Sequence, residues 1–160
     1  MILRRRRPHA FEHDGDRTAI RLGDDERSML ANLAGQFRAV VADDADPDLR
    51  RLYPTAYPDD PEHDADYSGL VHDDLVRTRV AAADTVVATA SAVSLDADQL
   101  AAWMQVLNGL RLLLGTRLDV SEEDEFDPEA DDAPTRALLS WLGFLLEEAV
   151  VAASADLGDA

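Results

Sequence analysis

The feature of this sequence that most constrains its fold is an apolar run of helical periodicity, residues 96–118, which also contains two arginines. At about 100° per residue, its large apolar side chains fill an arc of roughly 180° of the helix surface. Arg111 and Arg117 fall inside that arc. Because an unpaired buried charge is prohibitive, each guanidinium either pairs with a carboxylate under the surface or reaches solvent along a buried stem. The run therefore predicts a core helix whose two arginines need a specific role.

A second and more apolar helix is predicted over residues 134–155. Only a narrow polar strip interrupts its apolar surface, so we expect it to be the most buried helix of the fold, or to be covered by a second copy in a homodimer. Glu148 projects into the apolar sector beside Trp141, which makes it the first candidate for a buried ion pair. We predict that its carboxylate lies within about 4.5 Å of Arg111 or Arg117.

The remaining pattern predicts a mainly α (α+β) fold in one domain, residues 1–155, with a frayed tail at 156–160. An Asp-Gly pair at Gly15 lies between two short extended runs and predicts a β-hairpin, since glycine supplies the positive φ of the turn. Residues 43–67 contain four prolines and many acids, which indicates an irregular connection with at most short helical turns. Trp103 and Trp141 are expected to be structural residues of the bundle. The predicted elements are a hairpin at about 8–22 and four main helices at about 24–43, 69–93, 96–118 and 134–155.

The charge of the chain restricts its partners. The sequence has 33 acidic and 15 basic residues, which gives a net charge of -18. This balance opposes direct binding to nucleic acid or anionic lipid and favours basic protein surfaces as partners. Adaptation to high salt is an alternative explanation of the acidity, besides binding to basic partners. The one basic cluster, Arg4 to Arg7, lacks interleaved aromatic residues and is a weak footprint for nucleic acid.

No targeting or membrane-spanning segment is predicted. The basic start is followed by polar residues where a signal peptide would need an apolar core. The longest apolar stretch, residues 137–155, is broken by Glu147 and Glu148. We therefore expect a cytoplasmic protein.

Chemical motifs are scarce, so we expect neither an enzyme nor a cofactor or metal protein. The chain has no cysteine, and it lacks a phosphate-binding glycine loop, a nucleophile elbow and a zinc-ligand pattern. His9 and His13 would be about 13 Å apart on a hairpin arm, too far to chelate one ion together. The alternative is that Arg79, Arg111 and Arg117 converge on a site for a partner or an anionic group. A deep pocket lined by Arg79, Arg111 and Glu148 would favour an enzyme.

Several segments resemble one actinobacterial family. They are the arginine-rich start, the hairpin leading into Asp24-Asp25-Glu26, Leu-Tyr-Pro-x-Ala-Tyr at 52–57 with Asp59-Asp60-Pro61, Trp103-Met-Gln-Val-Leu-Asn108, Leu110-Arg-Leu-Leu-Leu-Gly-Thr-Arg-Leu118 and Trp141-Leu-Gly143. Together they resemble the AosR-like family, formerly described as a domain of unknown function. The resemblance spans almost the whole chain, and the segment at 110–118 with the later Trp-Leu-Gly is its most specific part.

The resemblance implies an actinobacterial cytoplasmic protein that regulates transcription under oxidative stress, with a gene that often neighbours that of the proteolytic adaptor ClpS. A redox-responsive regulator of this type is expected to sense through cysteines, and this chain has none. Either the sensing lies in a partner or the regulatory role does not transfer. We expect a non-enzymatic interaction protein that binds a sigma factor or RNA polymerase, with a Clp-linked adaptor as the alternative.

Overall fold

The computed structural model describes residues 9–43, 61–118 and 128–158, and the side chains of these residues except 61–70 and 156–158. The chain order is a β-hairpin, two helices, a short third strand and two more helices, which confirms the predicted mainly helical fold. The elements are β1 (Phe11–Asp14), β2 (Arg17–Ile20), α1 (Asp24–Ala42), α2 (Pro61–Thr89), β3 (Ser94–Leu95), α3 (Ala97–Leu118) and α4 (Ala133–Gly158). The predicted basic cluster at 4–7, most of the proline-rich connection and most of the charged segment after α3 lie outside the described residues.

The N-terminal hairpin forms where it was predicted. Gly15 has a φ of 64°, the left-handed conformation that the Asp-Gly turn requires, and Asp14 pairs with Arg17 across it. A third strand, β3, was not predicted and pairs antiparallel with β2. A strand of two residues is too short to give a recognisable alternation of apolar and polar residues in the sequence. The guanidinium of Arg17 fixes it by donating from Nε to the hydroxyl of Ser94 at 2.7 Å.

Helix boundaries differ from the prediction at both ends of α2 and at the end of α4. α2 ends at Thr89, four residues before the predicted end at 93. α2 begins at Pro61, eight residues before the predicted start at 69, so the irregular connection ends earlier than expected. Proline is favoured in the first turn of a helix, where its missing N–H removes no hydrogen bond, and the acids after it complement the helix dipole. α4 continues to Gly158, so the predicted frayed tail begins inside the helix. The start of α3 is as predicted: Asp96 and Gln99 exchange backbone-to-side-chain hydrogen bonds of 2.8 and 2.9 Å in a reciprocal cap.

Helix α3 forms the centre of the core. It packs between α2 and α4, α1 packs against α2 and α3, and α4 also contacts β1. Trp103 of α3 is completely buried, with the ring of Phe11 edge-on at 5.8 Å between centroids. Its indole N–H donates to the hydroxyl of Thr89 at 2.8 Å, so the one polar atom of the ring is satisfied. Trp103 therefore joins the sheet, α2 and α3.

The approach of α1 to α3 is close enough to require a glycine. A Cβ at position 109 would lie 2.5 Å from Cζ of Phe37, whose side chain is itself buried. Gly35, in the middle of α1, is exposed and has no atom within 4 Å of its Cβ position. Replacement by alanine should therefore change the free energy of unfolding in opposite directions at the two glycines.

We predict that Gly109→Ala lowers the free energy of unfolding by about 1–2 kcal/mol. Overpacking costs about 1–3 kcal/mol and here exceeds the gain of about 1 kcal/mol from helix propensity. Gly35→Ala, the matched control, should raise stability by about 0.5–1 kcal/mol. Urea unfolding followed by circular dichroism measures both, and equal stabilisation by the two alanines would contradict the close approach.

Candidate functional site

The two arginines of α3 are not buried, which corrects the prediction of an ion pair under the surface. Arg111 and Arg117 are both exposed. The guanidinium of Arg111 lies across α4, with Nε 3.4 Å from the position that a Cβ would take on Gly143. Arg111 thus follows the second route considered from the sequence, in which the side chain reaches solvent over a neighbouring helix. Arg117 lies in the last turn of α3, where its charge complements the helix dipole.

Glu148 has a different partner from the one predicted. Its carboxylate lies 2.9 Å from Nδ1 of His9, at the base of the hairpin, and not beside Arg111 or Arg117. The side chain of Glu148 is 17% exposed and that of His9 is 66% exposed. Helical projection placed Glu148 correctly toward the apolar side of α4, but it could not show that the hairpin covers that side. The pair connects the residues just before β1 to α4.

The structure does not bring Arg79 and Arg111 to one site. Arg79 of α2 lines a small cavity of about 110 Å³ with Gln105, Asn108 and Gly109. Arg111 lies instead against Gly143 of α4. The deep pocket of Arg79, Arg111 and Glu148 considered above is therefore not formed. Within the part of the chain that the structure describes, no group of three or more acidic or histidine side chains is placed to hold a metal ion.

Arg27, which the sequence analysis missed, makes extensive hydrogen bonds to the backbone. Its guanidinium donates to four backbone carbonyls, at 2.6–3.0 Å. Two of these carbonyls belong to the end of the hairpin and two to the chain just after α2; they are Ile20, Leu22, Ala90 and Ala92. A cation at the carbonyl end of a helix is favourable because the unpaired carbonyls there carry partial negative charge. Arg27 therefore anchors the start of α1 to the sheet and to α2.

A signal for Arg27 was present in the sequence. The buried residues of α1 are Leu30, Ala34, Phe37 and Val41. Arg27 precedes Leu30 by three residues, so it continues the same helical stripe toward the N-terminus. An arginine within the apolar stripe of a helix is the pattern that drew attention to α3, and in α1 it marks a partly buried side chain.

An apolar groove with an acidic rim lies beside this anchored helix start. It has a volume of about 340 Å³ and is hereafter called the α1–α4 groove. Its lining residues come from the first turns of α1 and the first half of α4; they are Asp25, Glu26, Met29, Pro134, Ala137, Leu138 and Trp141. Met29 is 49% exposed, and Trp141 is partly exposed. The groove is thus an accessible apolar surface bounded on the α1 side by carboxylates.

A second depression near Arg27 is larger and more polar. It has a volume of about 540 Å³, and Asp24, Arg27, Ser28 and Ser91 are among its lining residues. The guanidinium of Arg27 is already committed to the four backbone carbonyls. The α1–α4 groove is therefore the better candidate for a binding site.

One stretch among the described residues, Ala133–Ala155 within α4, has the length and apolar composition of a membrane span. Its inner residues Leu142, Leu145 and Ala149 are buried against the rest of the fold. A core helix of a bundle has the same composition, so this stretch is weak evidence for a membrane.

The architecture defines a small helical bundle capped by a three-stranded antiparallel sheet, with an apolar groove on its surface. The chain belongs to the family described as Domain of unknown function (DUF2017), whose model matches residues 8–153. Comparisons with curated proteins and with solved structures gave no match.

We predict that Arg27→Lys lowers the free energy of unfolding by about 2 kcal/mol. A lysine has no planar fork and cannot reach the four carbonyls together, and hydrogen bonds to a charged group are worth about 1.5–3 kcal/mol. Arg38→Lys is the matched control, because Arg38 makes an exposed ion pair with Asp84. That change should cost less than about 0.5 kcal/mol. Chemical denaturation measures both, and equal losses would show that the four carbonyls contribute little.

Proposed function

We propose that this chain is a non-enzymatic interaction protein that regulates transcription through protein partners, with a sigma factor or RNA polymerase as the first candidates. The observation that carries the proposal is the α1–α4 groove, an accessible apolar surface beside exposed carboxylates. Exposed apolar patches on a folded protein mark sites for other proteins, and the carboxylates select basic ones.

The net charge supports action through proteins rather than through DNA. At -18 the molecule repels the phosphate backbone, whereas it attracts basic protein surfaces and accelerates their association. The resemblance to AosR-like regulators supplies the transcriptional and oxidative-stress context in an actinobacterial cytoplasm. Because the chain has no cysteine, the proposal assigns redox sensing to a partner.

The alternative function is a Clp-linked proteolysis adaptor. It is motivated by the gene neighbourhood implied by the resemblance and favoured by the concave, apolar character of the groove, which suits capture of a protein segment. An uncharacterised enzyme or anion-binding protein is third, since Arg79 of α2 and Arg111 of α3 do not share a pocket.

The test is crosslinked affinity purification of the tagged protein from its own host, with and without peroxide. The proposal predicts which partners are recovered. Enrichment of a sigma factor or RNA polymerase, reproduced with purified components, is the expected result. Clp components without polymerase would move the assignment to proteolysis. A DNA complex that is stable at physiological salt without any partner would contradict the proposal.

A further inference from the structure

Building on the proposed function, we propose that the α1–α4 groove binds a basic protein segment in which a bulky apolar side chain is flanked by arginine or lysine. The apolar floor would take the bulky side chain, and the carboxylates of α1 would pair with the flanking cations. The groove thereby defines the chemistry of the partner as well as the place where it docks.

The floor of the groove fits a side chain better than a folded surface. Its volume of about 340 Å³ is at the lower end of the range of small-ligand pockets, about 300–1,000 Å³. Met29, Leu138 and Trp141 supply flexible, branched and aromatic surface. A partly exposed tryptophan beside a methionine is the composition typical of adaptable protein-binding sites, since both residues tolerate differently shaped partners.

The acidic rim of the groove determines the sign of the charge that a partner must carry. Asp25 and Glu26 lie in the exposed first turn of α1, next to Asp24, and no cationic residue is among the lining residues of the groove. Glu26 accepts a hydrogen bond from the backbone N–H of Gly23 at 3.1 Å. Asp25 makes no hydrogen bond to a residue that the structure describes, so its carboxylate is open to a partner's guanidinium or ammonium group. The same charges repel an anionic lipid surface.

The position of the rim is fixed. Arg27 bonds the start of α1 to the hairpin and to the end of α2, one residue after Glu26. A partner segment therefore meets preformed walls, and little ordering of the site opposes binding.

The binding test uses fluorescence anisotropy of a labelled peptide, Gly-Arg-Arg-Leu-Leu-Arg-Arg-Gly, with Gly-Arg-Arg-Ser-Ser-Arg-Arg-Gly as the probe that lacks the apolar anchor. Asp25→Asn is matched by Asp24→Asn, which removes the same charge from the same helical turn outside the groove. Ala137→Arg is matched by Ser140→Arg, which adds the same charge to exposed α4 surface outside the groove. Circular dichroism of all four variants verifies the fold.

The expected result is that the leucine peptide binds at least about tenfold more tightly than the serine peptide, and that Ala137→Arg removes this difference while Ser140→Arg retains it. Asp25→Asn should weaken binding by about two- to fivefold, and Asp24→Asn by less than twofold. Equal binding of the two peptides would overturn the proposal, as would equal effects within either matched pair.

The groove has two alternative occupants, a second copy of the chain and the chain's own basic segment. Each gives a distinct experimental result that would overturn the proposal. Sedimentation of the unmodified protein as a dimer that Ala137→Arg converts to a monomer would assign the groove to a second copy. Replacement of residues 4–7 by serine would tighten peptide binding at least about tenfold if the chain's own basic segment filled the groove.

The two proposals can fail separately. Selective peptide binding without capture of a sigma factor or polymerase would retain the groove and reject the proposed function. Capture of polymerase equally by the Ala137→Arg and Ser140→Arg proteins would retain the function and reject the groove.

Discussion

The arrangement of this molecule depends on one guanidinium, that of Arg27. It satisfies backbone carbonyls at the end of the hairpin and just after α2, where the regular hydrogen-bond ladders of sheet and helix stop. Removing these acceptors from water would be costly without donors, and one planar cation supplies donors to four of them. The start of α1 is consequently held against two other elements. The carboxylates of Asp25 and Glu26 acquire a defined place at the rim of the α1–α4 groove for the same reason.

Helix α3 is closely packed against a neighbouring helix on each of two sides. On the α1 side, Gly109 admits the ring of Phe37 where a Cβ would collide. On the α4 side, Gly143 lies beneath the guanidinium of Arg111. The two short segments singled out by the resemblance, one on α3 and one on α4, thus contact each other in the folded chain. The contact of Arg111 with Gly143 is a contact between two helices.

Local signals in the sequence predicted the hairpin and the order of the helices, because turn chemistry and apolar periodicity act over a few residues. Long-range partners could not be predicted in the same way. The projection of α4 turned Glu148 toward the apolar side, but only the folded hairpin brings His9 to it. β3 is stabilised by its pairing with β2 and carries no strand pattern of its own. The argument applied to Arg111, that an arginine within an apolar helical stripe needs a specific role, applies equally to Arg27. The role of Arg27 was missed because the apolar stripe of α1 was taken to begin after it.

In the proposed function, the net charge and the α1–α4 groove have separate roles in binding a partner. Under this proposal, the charge of -18 attracts basic partners and the apolar floor beside Trp141 selects among them on contact. The most direct test compares hydrogen–deuterium exchange of the protein alone with its exchange in the presence of purified RNA polymerase bearing its sigma factor. The account predicts slower exchange in the first turns of α1 and α4, at 24–29 and 134–141, when the partner is bound. Unchanged exchange in both turns, with protection confined to other helices, would contradict it.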